Sequence, residues 1–253
     1  MSLYGLLGKT LKHSFSKTFF TEKFAREGLA GHRYENFELE HIGQLTGLLH
    51  QHPDLAGLNV TIPYKGDVLS FLHYKNDVVA AIGACNCIKI SEGQLYGFNT
   101  DVVGFRNSLQ PRLGPQHTNA LVLGTGGAAK AVLYVLQQLG IAATVVSRTS
   151  SAATIGYNNV DEAMMQQHLL VINTSPVGMY PHVDAAPLLP YDAITPQHLL
   201  FDLIYNPEQT LFLQKGAAIG AATVNGYEML VGQALESWRI WNEAVPSDTM
   251  QKA

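Results

Sequence analysis

The heptapeptide Asn59-Val60-Thr61-Ile62-Pro63-Tyr64-Lys65 places three hydrogen-bonding side chains in an otherwise apolar run. On a β-strand Asn59 and Thr61 would point to one face, because successive side chains alternate. Pro63 lacks the N–H that a strand ladder needs, so we expect the strand to end there, with Lys65 turned back over its tip. A polar row that ends in an amine indicates a ligand site. An amphipathic edge strand followed by a solvated lysine would give the same pattern, so this segment alone does not decide.

A second chemical pattern, Gly124-Thr125-Gly126-Gly127-Ala128-Ala129, follows a short apolar run. Its spacing matches G-x-G-x-x-A, in which the glycines permit a tight turn and let backbone N–H groups approach a pyrophosphate. The apolar run before it and the helical pattern after it are the context that this motif requires. The pattern therefore predicts a dinucleotide site, whose contacts would come from Gly124, Thr125, Gly126, Gly127 and Ala128.

The end of the next predicted strand indicates which dinucleotide binds. NAD sites usually place a carboxylate there for the ribose 2′-hydroxyl, whereas a 2′-phosphate needs cations and hydroxyls. The chain has Ser147, Arg148 and Thr149 at this point and no acid. The sequence therefore predicts NADP (NADPH) as the cofactor, with Arg148 as the phosphate clamp. An exposed arginine on a surface turn is the alternative.

Two α/β domains are needed to position these residues, and the first carries the heptapeptide. Strand-like runs alternate with helical ones up to residue 101, and Glu92-Gly93 predicts a hairpin turn, so this sheet should be mixed. The predicted strands cover residues 3–7, 33–37, 57–62, 85–90 and 94–98. Apolar residues at helical spacing after Gly226 predict a C-terminal helix that returns to this domain. We expect a substrate-binding and catalytic domain made of residues 1–101 and the helical segment 227–253.

The second predicted domain carries the glycine motif. After a turn-rich junction at 110–115, short apolar strands recur with helical segments between several of them. The predicted strands cover residues 120–123, 143–146, 169–172, 199–203 and 222–224. This rhythm is typical of a Rossmann-type, doubly wound parallel sheet. We expect residues 102–226 to form the NADP-binding domain.

Composition favours small-molecule chemistry. The 253 residues are 47% hydrophobic and carry a formal charge of −4, which argues against a nucleic-acid partner. No apolar run approaches the roughly 18 residues of a membrane span, and the first residues lack a signal-peptide pattern. Cys85 and Cys87 are too close for a comfortable disulfide, and no histidine, His13 included, has metal-ligand spacing. We expect a cytoplasmic monomer or homodimer with reduced thiols, no metal and no membrane partner.

Several segments, in the right order over nearly the whole chain, resemble the shikimate dehydrogenase family. The heptapeptide is similar to the family's Asn-Val-Thr-x-Pro-x-Lys signature, and Gly97-Phe98-Asn99-Thr100-Asp101 is similar to its Gly-x-Asn-Thr-Asp signature. The loop 8–16 resembles the one in which two serine hydroxyls, here Ser14 and Ser16, hold the substrate carboxylate. Further matches are Asn86, Asn173-Thr174-Ser175-Pro176, Tyr205 and Gln233.

This resemblance implies reversible hydride transfer, in which NADPH reduces the ketone of 3-dehydroshikimate to give shikimate on the route to chorismate and the aromatic amino acids. It implies that Lys65 and Asp101 form the catalytic acid–base pair. The implied substrate contacts are Ser14, Ser16, Asn59, Thr61, Asn86, Tyr205 and Gln233, and Thr174 and Gly226 join the cofactor site. A structural amide role is the alternative for Asn59 and Asn86.

The chain also departs from the family pattern at three points. Lys17 stands where the family usually has proline, Cys87 stands where it has threonine, and no second basic residue follows Thr149. Two other functions are kept open, a quinate/shikimate dehydrogenase that accepts NAD and a non-catalytic binding module. A methylenetetrahydrofolate-type dehydrogenase is a third alternative, but the paired serines and the Asn-Thr-Asp segment do not suit it.

Overall fold

The structure is a computed structural model that describes residues 2–11, 14–245 and 250–253. The chain divides into two compact units. Unit 1 comprises Met1–Thr100 and Ala234–Ala253, and unit 2 comprises Asp101–Gln233. His13, which we expected to be structural or on the surface, lies outside the described residues. Within those residues, the helices are too short or too polar for any of them to cross a bilayer.

Unit 1 begins with six strands and three helices. The strands are β1 (Ser2–Gly8), β2 (His32–Glu38), β3 (Leu55–Val60), β4 (Tyr74–Asn76), β5 (Cys87–Ser91) and β6 (Gln94–Phe98). The helices are α1 (Phe15–Arg26), α2 (Leu45–Gln51) and α3 (Asp77–Ile82). A short 3-10 helix at Asp67–Phe71 follows β3.

Unit 2 contains six strands and the helices between them. The strands are β7 (Asn119–Leu123), β8 (Ala142–Ser147), β9 (Ile155–Gly156), β10 (Leu170–Asn173), β11 (Leu199–Asp202) and β12 (Ala222–Val224). The helices are α4 (Asp101–Leu109), α5 (Gly127–Gln138), α6 (Glu162–Gln167) and α7 (Leu211–Ala218). The last helix, α8 (Tyr227–Asn242), starts in unit 2 and ends in unit 1, which also contains β13 (Met250–Lys252).

The sheet of unit 1 is mixed, as the sequence predicts. Its strand order is β13-β4-β6-β5-β3-β1-β2. Strand β1 is parallel to β2 and β3, whereas β5 is antiparallel to both β3 and β6. The predicted hairpin joins β5 to β6, and both of its turn residues have positive φ, 51° at Glu92 and 71° at Gly93. Such φ values match the right-handed twist of the two strands.

Two details of unit 1 differ from the expectations. Strand β3 ends at Val60, so Thr61 and Ile62 are not strand residues, and Ile62 is 74% exposed. The strand thus stops before Pro63, and its predicted extension to residue 62 is wrong. The short strands β4 and β13 were not predicted, because each has only three residues and their pairing joins distant parts of the chain.

The end of α8 packs on the sheet of unit 1 through Trp241. This side chain is buried, and its Nε1 donates to the Ile88 carbonyl at 3.0 Å. A Cβ on Gly57 would lie only 2.3 Å from Trp241 Nε1, so the ring requires glycine at that point of β3. The predicted return of the C-terminal helix to the first domain is confirmed.

The sheet of unit 2 is entirely parallel, with strand order β12-β11-β10-β7-β8-β9. All four residues of β10 and of β11 are buried, which is typical of central strands covered on both faces. The predicted α/β class and Rossmann-type sheet are confirmed, while the two-residue strand β9 was not predicted. Side chains cap α6 and α7, where Asp161 and Thr210 accept from the backbone N–H three residues on.

Candidate active site

Ser14 and Ser16 lie at the start of α1 in unit 1. Ser14 is the N-cap residue, and its Oγ accepts from the Lys17 backbone N–H at 3.4 Å. Ser16, in the first turn, is buried and lies close enough to Tyr34 on β2 to lower the pKa of that phenol, although burial has the larger effect and raises it. Hydroxyl groups at the positive end of a 12-residue helix suit an anionic ligand such as a carboxylate. Lys17 occupies the position where the family usually has proline. Its Nζ forms an ion pair with Glu35 Oε2 at 2.7 Å.

Asn59 lies near the end of β3 and is buried among protein partners. Its Oδ1 accepts from the Tyr34 hydroxyl at 2.8 Å. Its Nδ2 donates to Ser237 Oγ at 2.8 Å and to the Asn86 carbonyl at 3.4 Å. The structure therefore gives each polar atom of the Asn59 amide a partner within the protein, a geometry that favours the structural alternative for this residue.

Thr61 and Lys65 follow β3 in a tight turn. The Thr61 methyl packs over Gly8, where an added Cβ would come within 2.7 Å of Thr61 Cγ2. Tyr64 holds this turn in place, because its buried hydroxyl donates to the Leu39 carbonyl at 2.6 Å. The Lys65 carbonyl accepts from Cys85 N at 2.7 Å, which fixes the backbone that carries the half-buried Lys65 side chain.

Asn86 holds the segment that leads into α4. Its Oδ1 accepts from Thr100 N at 2.6 Å, and its Nδ2 lies 3.1 Å from Thr100 Oγ1. Both residues are buried and belong to unit 1. Asp101, the next residue, is buried as well and opens α4 in unit 2. Asn99 and Thr100 of the signature thus belong to unit 1, and Asp101 belongs to unit 2.

The two cysteines of this region are free and buried. Burial raises the pKa of the Cys85 thiol to about 12 and raises that of Cys87 further still. A thiol with such a raised pKa is neutral and unreactive at ordinary pH. Among the described residues, no three His, Cys, Asp or Glu side chains are grouped to hold a metal ion.

The glycine motif of unit 2 forms a tight turn between β7 and α5. Gly124 has φ of 120°, and a Cβ there would come within 2.7 Å of Thr174 Oγ1. Thr174 is held beside it, because its Oγ1 donates to the Leu123 carbonyl at 2.8 Å. Gly126 is the N-cap of the 12-residue helix α5 and provides no side-chain cap. The first N–H groups of α5 and the positive end of its dipole fit a pyrophosphate.

The segment after β8 fits a 2′-phosphate. Strand β8 ends at Ser147, and Arg148 and Thr149 are exposed. Thr149 N donates to Ser147 Oγ at 3.4 Å, which folds the segment into a turn. Arg148 lies close enough to Tyr157 to lower the pKa of that phenol, although burial has the larger effect and raises it. One guanidinium among several hydroxyls provides a phosphate site with a single cation.

Tyr205 follows β11 and Gly226 follows β12. Gly226 N donates to the Ile204 carbonyl at 3.0 Å, and a Cβ on Gly226 would lie 2.0 Å from the Leu203 carbonyl oxygen. The backbone approach therefore requires glycine at position 226. Tyr205 is partly exposed, and burial of its ring raises the pKa of its hydroxyl.

Gln233 is placed by a close crossing of α4 and α8 within unit 2. A Cβ on Gly104 would lie 2.3 Å from the Met229 carbonyl and 2.9 Å from Gln233 N. Gly232 also contacts Gly104, since its added Cβ would be 3.1 Å from Gly104 Cα. Gln233 is buried, and its Nε2 donates to the Leu230 carbonyl at 3.0 Å.

Sequence reasoning missed a buried cluster at the ends of β10 and β11. The fully buried Asp202 accepts from Asn173 Nδ2 and from Ile204 N through Oδ1, each at 3.0 Å. Its Oδ2 accepts from Thr210 Oγ1 at 2.6 Å. Burial raises the pKa of the Asp202 carboxyl to about 6, against these hydrogen bonds. Because Thr174 follows Asn173 and Tyr205 follows Ile204, this cluster fixes the loops of two predicted site residues.

Tyr34 and Ser237 were also missed. Tyr34 is one residue of an alternating strand and Ser237 is one of a helix, and neither lies in a signature segment. The sequence offered one indication of their role, a polar residue at a position of the strand or helix that faces the core. Many residues with a purely structural role share this feature, so it does not identify a site residue.

Comparisons with known proteins give one consistent result. Residues 6–88 match the model of the shikimate dehydrogenase substrate binding domain. A shikimate dehydrogenase (NADP(+)) of Clostridium beijerinckii is 38% identical over 253 residues, which cover 96% of this chain and 93% of that protein.

Two solved structures support this likeness. Shikimate 5-dehydrogenase of Thermus thermophilus, in complex with NADP(H) and shikimate, is 31% identical with a TM-score of 0.84, and the match covers 98% of this chain and 95% of that one. Quinate dehydrogenase of Corynebacterium glutamicum, in complex with NAD, is 26% identical with a TM-score of 0.83, and the match covers 95% of this chain and 93% of that one. The resemblance read from the motifs is confirmed, and the chain belongs to the shikimate dehydrogenase family.

Proposed function

We propose that this protein is an NADP-dependent shikimate dehydrogenase that reversibly reduces 3-dehydroshikimate to shikimate in aromatic amino-acid biosynthesis. The observation that carries the proposal is the joint presence of Lys65, Asp101, Asn86 and the serine pair in a chain that is 38% identical to a curated NADP-dependent enzyme over nearly its full length. In this proposal residues 1–101 with the C-terminal helix bind substrate, and residues 102–226 bind NADP.

Several residues of unit 2 would hold the cofactor. The N-terminus of α5, from Gly126 to Ala128, provides N–H donors for the pyrophosphate, and Gly124 and Thr125 leave room for its approach. Ser147, Arg148 and Thr149 would take the 2′-phosphate. We assign Thr174 and Gly226 to the remaining contacts. Bound NADPH would supply the hydride.

The remaining predicted site residues would bind and protonate the substrate. Ser14 and Ser16, at the N-terminus of α1, suit the carboxylate. Thr61 and Asn86 carry groups that match ring hydroxyls, and we keep Tyr205 and Gln233 as further proposed contacts. We assign acid–base chemistry to Lys65 and Asp101, one of which gives a proton to the carbonyl oxygen as the hydride arrives.

Loss of the Lys65 amine tests this assignment. We expect Lys65→Met to lower kcat for 3-dehydroshikimate at least about a hundredfold, because a positioned acid or base contributes roughly a factor of 10² to 10⁴. Substrate binding should change much less. The measurement is the decay of NADPH absorbance. Lys75→Met, a change at another half-buried lysine of unit 1, is the matched control and should keep the wild-type rate.

Two results would contradict the proposal. A wild-type protein that binds shikimate without turnover would be a binding module instead. An unchanged rate in Lys65→Met would remove that residue from the acid–base role, and a similar comparison of Asp101→Asn would then decide whether Asp101 holds the proton.

One observation favours a second candidate, a quinate/shikimate dehydrogenase that accepts NAD. Arg148 is the only cation in the segment 147–153, so the 2′-phosphate would gain a single ion pair. Initial rates with shikimate and quinate, each with NADP and with NAD, separate the two functions. A preference for NAD at equal concentrations would establish the second.

A further inference from the structure

A continuous series of buried hydrogen bonds in unit 1 leads to Asn86, a predicted substrate residue. Its members are Tyr34, Asn59, Ser237, Thr100 and Asn86, and we call it the polar chain. None of the five is more than 4% exposed. The polar chain begins on β2, passes through β3 and α8, and ends in the loop before β5.

The distances within the polar chain are those of ordinary hydrogen bonds. Tyr34 Oη and Asn59 Oδ1 are 2.8 Å apart, as are Asn59 Nδ2 and Ser237 Oγ. Ser237 Oγ lies 3.2 Å from Thr100 Oγ1, which in turn lies 3.1 Å from Asn86 Nδ2. Asn59 and Ser237, which are 178 positions apart in sequence, are thus joined by a direct hydrogen bond.

The directions of the bonds at Asn59 follow from the chemistry of the groups. Asn59 Nδ2 faces the Asn86 carbonyl, which can only accept, so Oδ1 faces Tyr34. Tyr34 has a single hydroxyl proton and donates it to Asn59. Tyr34 thereby fixes the orientation of the Asn59 amide, which in turn donates to the backbone of Asn86 in the predicted substrate site.

Burial separates the members of the polar chain by role. Ser237 and Thr100 have no exposed surface, and Tyr34 and Asn59 are only 3% and 4% exposed. Side chains so enclosed act on a ligand through the groups that they hold. Buried hydrogen bonds contribute modest net stability but fix geometry, because each unmade bond carries a desolvation cost.

We propose that Tyr34 and Ser237 are positioning residues for the substrate that act on Asn86, Tyr34 through Asn59 and Ser237 through Thr100. This inference rests on the proposed function, since it assumes that Asn86 binds the substrate. It assigns to the C-terminal helix a part in shaping the substrate surface of unit 1. It also makes Asn59 the centre of the polar chain.

Removal of the Tyr34 hydroxyl is the first test. We expect Tyr34→Phe to raise KM for 3-dehydroshikimate at least about fivefold, while kcat and KM for NADPH stay within about twofold. The matched control is Tyr4→Phe, because Tyr4 is equally buried at 3% exposure and pairs directly with Tyr34 across β1 and β2. That control should leave both KM values unchanged.

Removal of the Ser237 hydroxyl is the independent test from the other side of Asn59. Ser237→Ala should raise KM for 3-dehydroshikimate in the same way, and Ser108→Ala, a change at a buried helix serine of unit 2, is its control. Binding of shikimate to each variant, measured by calorimetry, should weaken by the same factor as KM rises. Thermal unfolding of each variant is followed in parallel.

The outcomes separate the inference from the function beneath it. A wild-type protein without turnover would refute the proposed function. Normal wild-type turnover with unchanged shikimate binding in either Tyr34→Phe or Ser237→Ala would overturn the positioning role, even if the melting temperature fell. If Tyr34→Phe does not fold, Ser237→Ala decides.

Discussion

Units 1 and 2 each contain a buried polar cluster beneath predicted site residues, but the two clusters are built from different chemistry. The polar chain of unit 1 consists of hydroxyls and amides, with Asn59 at its centre. The cluster of unit 2 surrounds a carboxyl, Asp202, held by Asn173, Thr210 and a backbone N–H. Neutral groups keep their hydrogen-bonding character across the pH range, whereas a carboxyl near its pKa does not.

This difference teaches that two sites of one protein can be fixed in position with different sensitivity to pH. The loops that carry Thr174 and Tyr205 depend on a group that titrates near neutrality, since burial raises the pKa of Asp202 to about 6. The segment that carries Asn86 depends on Asn59, which does not titrate. Three predictions test this comparison.

The largest effect is expected from Asn59→Leu in unit 1. Leucine fills a similar volume but leaves the Tyr34 hydroxyl without its acceptor and the Asn86 carbonyl without this donor. At about 1–3 kcal/mol for each buried group left unpaired, the free energy of unfolding should fall by about 4 kcal/mol. Urea titrations at pH 5.5 and pH 8 should give the same loss. A loss that differs clearly between the two pH values would show that the stability contributed by Asn59 also depends on an ionisable group.

Asp202→Asn should produce the next largest effect, as a change in pH dependence. The pKa of Asp202 in the folded state, about 6, lies above the ordinary carboxyl value, so the fold favours the protonated form. The stability linked to this group is therefore complete below about pH 4 and is lost as the pH rises through about 6. Asparagine imitates the neutral acid in shape and does not titrate.

The measurement is the free energy of unfolding of both proteins at several pH values. Relative to Asp202→Asn, wild type should lose about 3 kcal/mol between pH 4 and pH 7.5, as a pKa rise of about two units implies. Two parallel stability curves would show that Asp202 has an ordinary pKa and would remove the contrast between the units.

Thr210→Val should have the smallest effect, about 1–2 kcal/mol, and it refines the account of unit 2. The Thr210 hydroxyl donates to Asp202 Oδ2 at 2.6 Å and favours the ionised carboxyl. Its loss should cost more at pH 8 than at pH 5, because hydrogen bonds to charged groups are the stronger ones. Adding Thr210→Val to the Asp202→Asn protein should make the cost independent of pH. A cost that kept its pH dependence there would assign the titration to another group.

Local sequence signals predicted those parts of the fold that short segments determine by themselves. Glu92-Gly93 specifies a hairpin because its two positions need positive φ. Gly124 marks the turn after β7 for a similar reason, since only glycine tolerates φ of 120° beside Thr174. The end of β3 was predicted two residues late, because pairing to Asn86 and Leu7 stops there and no local preference records it.

The interior of the candidate site could not be predicted from local signals. Asn59 takes its partners from β2, from α8 and from the loop before β5. Nothing in the heptapeptide specifies whether its amide faces a ligand or the protein, since both need the same donor and acceptor. Asp202 likewise looks like any acid at the end of a strand, and only its burial distinguishes it.

The division of unit 1 between Met1–Thr100 and Ala234–Ala253 has a consequence for synthesis on the ribosome. Unit 2 is a single uninterrupted segment that can complete its fold once Gln233 has emerged. Most of unit 1 emerges first, yet it lacks Ser237 and Trp241 until the segment after unit 2 has been made. Until then Asn59 and the surface at Gly57 that Trp241 covers in the folded protein remain exposed. A chaperone that shields this surface would therefore raise the yield of folded protein.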